Sequence, residues 1–297
     1  MGISLPRSST LKVDKENLIQ LKPNVWKWQV GRHQYSLKKY KDVAEAEKIR
    51  FIHQKLLEVN QSYVLPIEPY SDQFVIQQPW VEDGGKVQFD NLRDRQESLR
   101  LLNKLHRTGE LIKWKRCSYL HEIDLIRKWE HRLEKWQFAT SFLHIHLGEA
   151  KTLQITKYAQ QALQNIKPLI SGNKTLLHGD VVHHNFVRNQ NGQMYLIDFD
   201  LACVGPKEVE LILWIHRVLP HLDYNLQKLI LQNPSLKTLT AKEFQYLLFP
   251  NELLREWLYA TTLSNQQLKT FIPKLKIFTD KTLKMLPKLQ IEINQMG

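Results

Sequence analysis

Cysteine is scarce: only Cys117 and Cys203 occur in the 297 residues. Two thiols supply neither a disulfide framework nor the spacing of a zinc site, and a reducing cytoplasm is the compartment they imply. Long apolar runs are missing too, since none approaches the ~18 residues of a membrane helix. Met1 to Thr10 holds no hydrophobic segment, so no secretion signal is expected there. Met1-Gly2 does not open a myristoylation site, because Pro6 stands where Ser or Thr is required. No internal repeat or low-complexity stretch occurs. These absences predict a soluble, cytoplasmic protein with no membrane partner. What remains is an ordinary globular composition, 42% hydrophobic and 24% charged, in a chain long enough for one large or two modest domains. The net charge of +12 is the compositional oddity. A lysine-rich solvated surface explains it, with attraction to phosphate-bearing partners as the sharper reading. Nucleic acid is not an expected partner; binding driven by charge alone would fall steeply with salt.

The chemistry concentrates in Leu176-Leu177-His178-Gly179-Asp180-Val181-Val182-His183-His184-Asn185, followed by Ile197-Asp198-Phe199-Asp200. Between them, Phe186 to Ile197 reads as two short strands around Asn191-Gly192, a strong hairpin signal. If those two residues form the loop, Asn185 pairs with Asp198 on one side of the hairpin, with Cβ atoms about 4.5–5.5 Å apart. An amide oxygen and a carboxylate so placed can grip a small hard cation such as Mg²⁺. Asp180, in the preceding loop, is then free to act on a substrate beside that metal. The layout suits phosphoryl transfer from a nucleotide. The rival reading makes His178, Asp180, His183 and His184 a metallohydrolase cluster, but such sites need further ligands at complementary spacing.

The H-x-D-x-x-x-x-N pattern at His178, Asp180 and Asn185, with Ile197 to Asp200, resembles the kinase-like small-molecule phosphotransferases. These include aminoglycoside phosphotransferases, choline kinases and, closest in local wording, the bacterial spore-coat kinase-like branch. Three further stretches resemble that family in order: the lysine strand Tyr35-Ser36-Leu37-Lys38, the strand and hinge Phe74 to Trp80, and the helix carrying Leu99, Leu102, Leu105 and His106. The resemblance implies an α+β, bilobal protein-kinase-like fold. Residues 1–79 would form a β-rich nucleotide-binding lobe and residues 80–297 a mainly helical lobe with the catalytic and metal-binding loops. It also implies roles: Asp180 as catalytic base, Asn185 and Asp198 as Mg²⁺ ligands, Lys38 on the phosphates of ATP, and His178 as a loop brace. Asp200 stands where protein kinases carry the glycine of D-F-G. No G-x-G-x-x-G loop occurs in the small lobe, which lowers the case for a protein kinase. The implied partners are a nucleotide and a small hydroxylated substrate. The alternative is a non-catalytic spore-coat-type protein that keeps the scaffold, with spore-coat proteins as partners.

Elsewhere the patterns place elements. Val25 to Tyr40 alternates as a hairpin with Gly31-Arg32 near its turn. Val43 to Val59 reads as a helix with Ile49, Ile52 and Leu56 on its apolar stripe. Glu45 falls on that stripe and is the expected partner of Lys38, with Glu47 in reserve. Val81 to Gly85 reads as an inter-lobe linker. Helical stripes follow at Leu92, Leu99, Leu102 and Leu105, at Ile126, Trp129, Leu133 and Trp136, and at Ile155, Ala159, Ala162 and Ile166. After Pro206 the pattern stays helical, punctuated by Pro220, Pro250, Pro273 and Pro287. From residue 206 onward there are 12 Lys/Arg against 8 Asp/Glu, which argues against a polycationic acceptor.

Overall fold

Gly31 takes a positive φ of 57°, and Val30 pairs directly with His33, so Gly31 and Arg32 alone make the turn. A two-residue loop with glycine first matches the twist of the strands it joins. In the computed structural model, which describes residues 17–82, 84–114, 118–169 and 174–296, this hairpin is the centre of a four-stranded antiparallel sheet. Asp83 of the expected linker, Cys117 and the Met1–Thr10 segment lie outside the described residues. The sheet comprises β1 (Leu18–Lys22), β2 (Val25–Val30), β3 (His33–Lys39) and β4 (Val75–Pro79), side by side in that order. Trp28, Leu37 and Val75 form its buried cluster, with Trp26 and Val30 packed against it as their alternation with Lys27 and Gln29 requires.

Between β3 and β4 runs α1 (Val43–Glu58), started by Asp42, whose carboxylate accepts from the Ala44 N–H. Its core face is Ala46, Ile49, Ile52, His53 and Leu56. Complete burial of Ile52 and Leu56 contributes roughly 1.5–3 kcal/mol each. Next come α2 (Leu92–Arg107), α3 (Leu125–Phe138), α4 (Thr140–His146) and α5 (Glu149–Asn165). Leu92 of the α2 stripe is exposed, whereas Leu99, Leu102 and Leu105 are buried. Four short strands follow: β5 (Thr175–Leu177), β6 (Phe186–Arg188), β7 (Met194–Leu196) and β8 (Cys203–Gly205), paired as β5 with β8 and β6 with β7. The rest is helical: α6 (Lys207–Val218), α7 (Leu226–Gln232), α8 (Ala241–Phe244), α9 (Asn251–Ala260) and α10 (Asn265–Asn294). The α+β class, with a sheet at the start and a mainly helical remainder, is as expected. Among the described residues no helix is long and apolar enough to cross a membrane.

Two of the prolines that punctuate the helical pattern fall within a helix. Pro273 and Pro287 lie inside the 30-residue α10. Each removes a backbone donor and costs about 3 kcal/mol in a helix interior. Burial of Leu268, Ile272, Leu275, Leu283, Leu286, Leu289 and Ile293 along one face outweighs that cost.

The chain packs as two compact units, each drawn from separated segments. The first joins the chain up to Gln88, Glu97–His121 and Lys174–Val204; the second takes Phe89–Gln96, Glu122–Asn173 and Gly205 onward. In the second, Trp129 is fully buried, stacked on Phe249 at 4.4 Å between ring centres and met edge-on by His216. There the buried Glu252 is paired with Arg217 and Arg255. Burial alone would raise its pKa, but the two guanidinium groups reverse that and hold it below the usual value.

Candidate active site

Everything that follows lies in the first unit. Strand β3 presents Lys38, which is flanked by Val25 on β2 and Ile76 on β4. Its ammonium lies 2.7 Å from Asp198 Oδ1 and 2.5 Å from Asp200 Oδ2. Burial alone would lower the Lys38 pKa, but hydrogen bonds and charge from Asp198 and Asp200 outweigh it and raise the value. The same balance, with the opposite sign, leaves Asp198 below the ordinary carboxylate value: desolvation raises it and Lys38 more than compensates. Tyr40, just past the end of β3 and two residues from Lys38, continues the pairing through its N–H to the Phe74 carbonyl and donates its hydroxyl to Asp200 Oδ1 at 2.9 Å. From α1, Lys48 donates to the Asp200 carbonyl at 2.7 Å.

The loop after β5 is set by Gly179 and His178. Gly179 has φ 81°, and a Cβ there would sit 2.0 Å from the Leu201 carbonyl oxygen, so only glycine passes. His178 is fully buried, with Nε2 2.8 Å from the Ile197 carbonyl and Nδ1 accepting from the Asp180 N–H at 3.4 Å. Those contacts suit a neutral ring carrying its proton on Nε2. Its ring also packs on Phe199 at 4.8 Å between centres, and His53 of α1 meets the same phenyl at 5.2 Å. His178 is thus a brace. Among the described residues no group of three or more His, Cys, Asp and Glu side chains is arranged to hold a metal, so the rival histidine cluster finds no donor set.

The hairpin register differs from expectation by one residue. Phe186 pairs with Leu196 and Arg188 with Met194, so Asn185 stands opposite Ile197 rather than Asp198. The cause is the turn. Gly192 N–H bonds Asn189 O at 2.9 Å, Asn189 N–H bonds Gln193 O at 3.0 Å, and Gly192 takes φ 81°. This is a three-residue loop of Gln190, Asn191 and Gly192, in which the glycine closes a bulge. Asp198 nevertheless reaches the site, because it leaves the strand in a left-handed conformation (φ 68°, ψ 62°). Asn185 and Asp198 line the same cavity of about 280 Å³, together with Lys38, Gln78 and Trp80. The Asn185 amide donates to the Asp180 carbonyl at 2.8 Å and to Asp180 Oδ2 at 3.3 Å, tying the two residues together.

Of the residues expected at the site, Lys38, Asp180, Asn185 and Asp198 are gathered and Glu45 is not. Glu45 is exposed in the first turn of α1, and Ala46 takes the buried position there. Helical phase gives the direction of a side chain but not whether anything packs over that turn, and an acid suits the unpaired N–H groups of a helix start. Glu47 is engaged by Arg50 at 2.6 Å. The partners of Lys38 are Asp198 and Asp200. Tyr40 and Lys48 were not foreseen, and neither was the tie of Asp200 to Lys38. The signal for Tyr40 was available, since alternate residues of a strand share a face.

The donor set fits a small hard cation. Asp198 meets Lys38 through Oδ1, so a second carboxylate oxygen remains to it, and the Asn185 amide, donating through Nδ2, keeps its Oδ1 as an acceptor. A cation that retains water and phosphate oxygens needs only one or two protein carboxylates.

The phosphotransferase enzyme family model matches residues 20–221. The fold is similar to that of an aminoglycoside phosphotransferase from Alicyclobacillus acidocaldarius, at 13% identity and TM-score 0.65, covering 99% of this chain and 98% of that one. It is also similar to spectinomycin phosphotransferase in complex with ADP and spectinomycin, at 13% identity and TM-score 0.61 over 92% of each chain. A macrolide 2′-phosphotransferase from Brachybacterium faecium matches at 13% identity and TM-score 0.53, over 90% of this chain and 93% of that one. At such identities the likeness speaks for the fold, whereas the family match spans about two thirds of the sequence. This chain belongs to the phosphotransferase enzyme family.

Proposed function

We propose that the protein is an ATP- and Mg²⁺-dependent kinase that phosphorylates a hydroxyl group of a small molecule. The observation that carries the reading is the convergence of Lys38, Asn185 and Asp198 on one cavity, with Asp180 bonded to Asn185 beside it. Lys38 binds the phosphates of the nucleotide with its remaining N–H. Asn185 and Asp198 hold Mg²⁺, which when bound offsets the charge of the phosphate oxygens. Asp180 orients the acceptor hydroxyl and takes its proton at a carboxylate oxygen. The protein's part is positioning and charge compensation, not covalent chemistry.

Related folds support a nucleotide as donor without fixing its base. Spectinomycin phosphotransferase has been crystallised with ADP and aminoglycoside 2′-phosphotransferase-IIIa with GDP. The basic excess after residue 206 points to an acceptor that is not polycationic.

The test is a screen of hydroxylated metabolites for acceptor-stimulated ADP or GDP release. Asp180→Ala should lower turnover by about 10²–10⁴-fold while nucleotide affinity stays within about twofold. Asp198→Ala should abolish the Mg²⁺ dependence of nucleotide binding in a folded protein. An Asp198→Ala variant with unchanged Mg-ATP affinity would remove the metal assignment.

A further inference from the structure

We infer that Asp200 is the acid that positions Lys38 for the nucleotide, a task the sequence pattern gave to an acid on α1. The inference rests on the proposed role of Lys38 and deepens it.

Three contacts carry it. Lys38 reaches Asp200 Oδ2 at 2.5 Å, a tighter contact than its 2.7 Å to Asp198. The other carboxylate oxygen, Oδ1, is held by the Tyr40 hydroxyl at 2.9 Å. The Asp200 main chain is held by Lys48 of α1 at 2.7 Å. The carboxylate is therefore oriented from both oxygens and the backbone is pinned behind it. Neither acid of the first two turns of α1 competes for Lys38. Glu45 is exposed and Glu47 is occupied by Arg50. The usual polarity is reversed: α1 contributes a lysine to the Asp198–Asp200 segment instead of an acid to the β3 lysine.

An ammonium has three N–H donors. Asp198 and Asp200 take two, which aims the third and leaves it for a phosphate oxygen. The two acids thus divide the work. Asp198 spends one oxygen on Lys38 and keeps the other for the cation, whereas Asp200 spends both on Lys38 and Tyr40.

Two readouts test this. The first needs no nucleotide: the rate at which an amine-acylating reagent modifies Lys38, followed by mass spectrometry. Asp200→Asn should raise that rate several-fold, Asp200→Glu should restore it, and Glu45→Gln and Glu47→Gln should leave it unchanged. The second is ATP affinity measured in EDTA. Asp200→Asn should weaken metal-free ATP by about tenfold. It should add nothing further in a Lys38→Ala background, since two residues acting through one contact are not additive. Should Asp200→Asn fail to fold, Tyr40→Phe removes only the hydroxyl that orients Asp200, and should shift both readouts in the same direction by about threefold. Unchanged Lys38 reactivity overturns the inference. So does a nucleotide loss that appears only with Mg²⁺ and adds to that of Lys38→Ala, which would make Asp200 a metal ligand. Wild-type protein that binds neither ATP nor GTP, yet shows the reactivity change, sinks the proposed function and leaves the Asp200–Lys38 tie standing.

Discussion

Lys38 and Asp198 each owe their charge to the other, and this sets a pH window for the site. The Lys38 pKa is raised above 10.5, so its contribution is complete below that value and is lost as pH climbs through the raised one. The Asp198 pKa is lowered below 3.8, so its contribution is complete above that value and is lost as pH drops through the lowered one. Lysine-selective NMR should therefore show Lys38 as an ammonium throughout roughly pH 5–9, with no Asp198 titration in that range. A Lys38 signal that titrates below pH 9 would mean the pair does not persist in solution. At this scale the sequence was readable where spacing is short. The motif and strand pattern led to Lys38, Asn185 and Asp198, which line one cavity, and to Asp180, which is bonded to Asn185. Glu45 was misjudged because exposure depends on what another segment places over the helix end. Asp200 was seen, but its tie to Lys38 crosses 162 residues and no local pattern carries it.

At the scale of elements, the β6–β7 hairpin brings Asn185 and Asp198 to one cavity in a register other than the expected one. The Asn-Gly pair signalled a turn, but the Asn189 side chain also accepts from the Gln193 N–H at 2.9 Å and extends the loop by one residue. That shift should have turned Asp198 away from Asn185; its left-handed backbone turns it back. Local propensity cannot reveal such compensation, because it resides in the packing of the next segment. Gly179 is the complementary case, where one backbone position governs a whole loop. Gly179→Ala meets the Leu201 carbonyl and a disfavoured φ together. It should cost more than about 2 kcal/mol in stability, read from urea unfolding, and displace Asp180 enough to remove turnover. Near-wild-type turnover in that variant would show that the loop tolerates a different path.

For the whole molecule, acid is the weak point. His53 and His216, one in each unit, are buried, and desolvation pushes the pKa of each down to about 4. Below the unfolded value of 6.5 the open chain takes up protons that the folded chain refuses until pH approaches 4. Each ring then withdraws about 3 kcal/mol of stability by pH 4. Two such losses are comparable with the ~5–15 kcal/mol that hold a typical domain together. Urea midpoints should fall steeply from pH 6.5 to 4, with His216→Gln removing about half of the slope. A level profile would show that both rings protonate in place. The segmental make-up of the first unit has another consequence, during translation. Strand β3 emerges early, yet Asp198 and Asp200 arrive only with the segment that ends at Val204. At about 5–20 residues per second, Lys38 waits roughly 8–32 s at the ribosome before either acid exists, so the ion pairs that order this site can form only after most of the unit has been made.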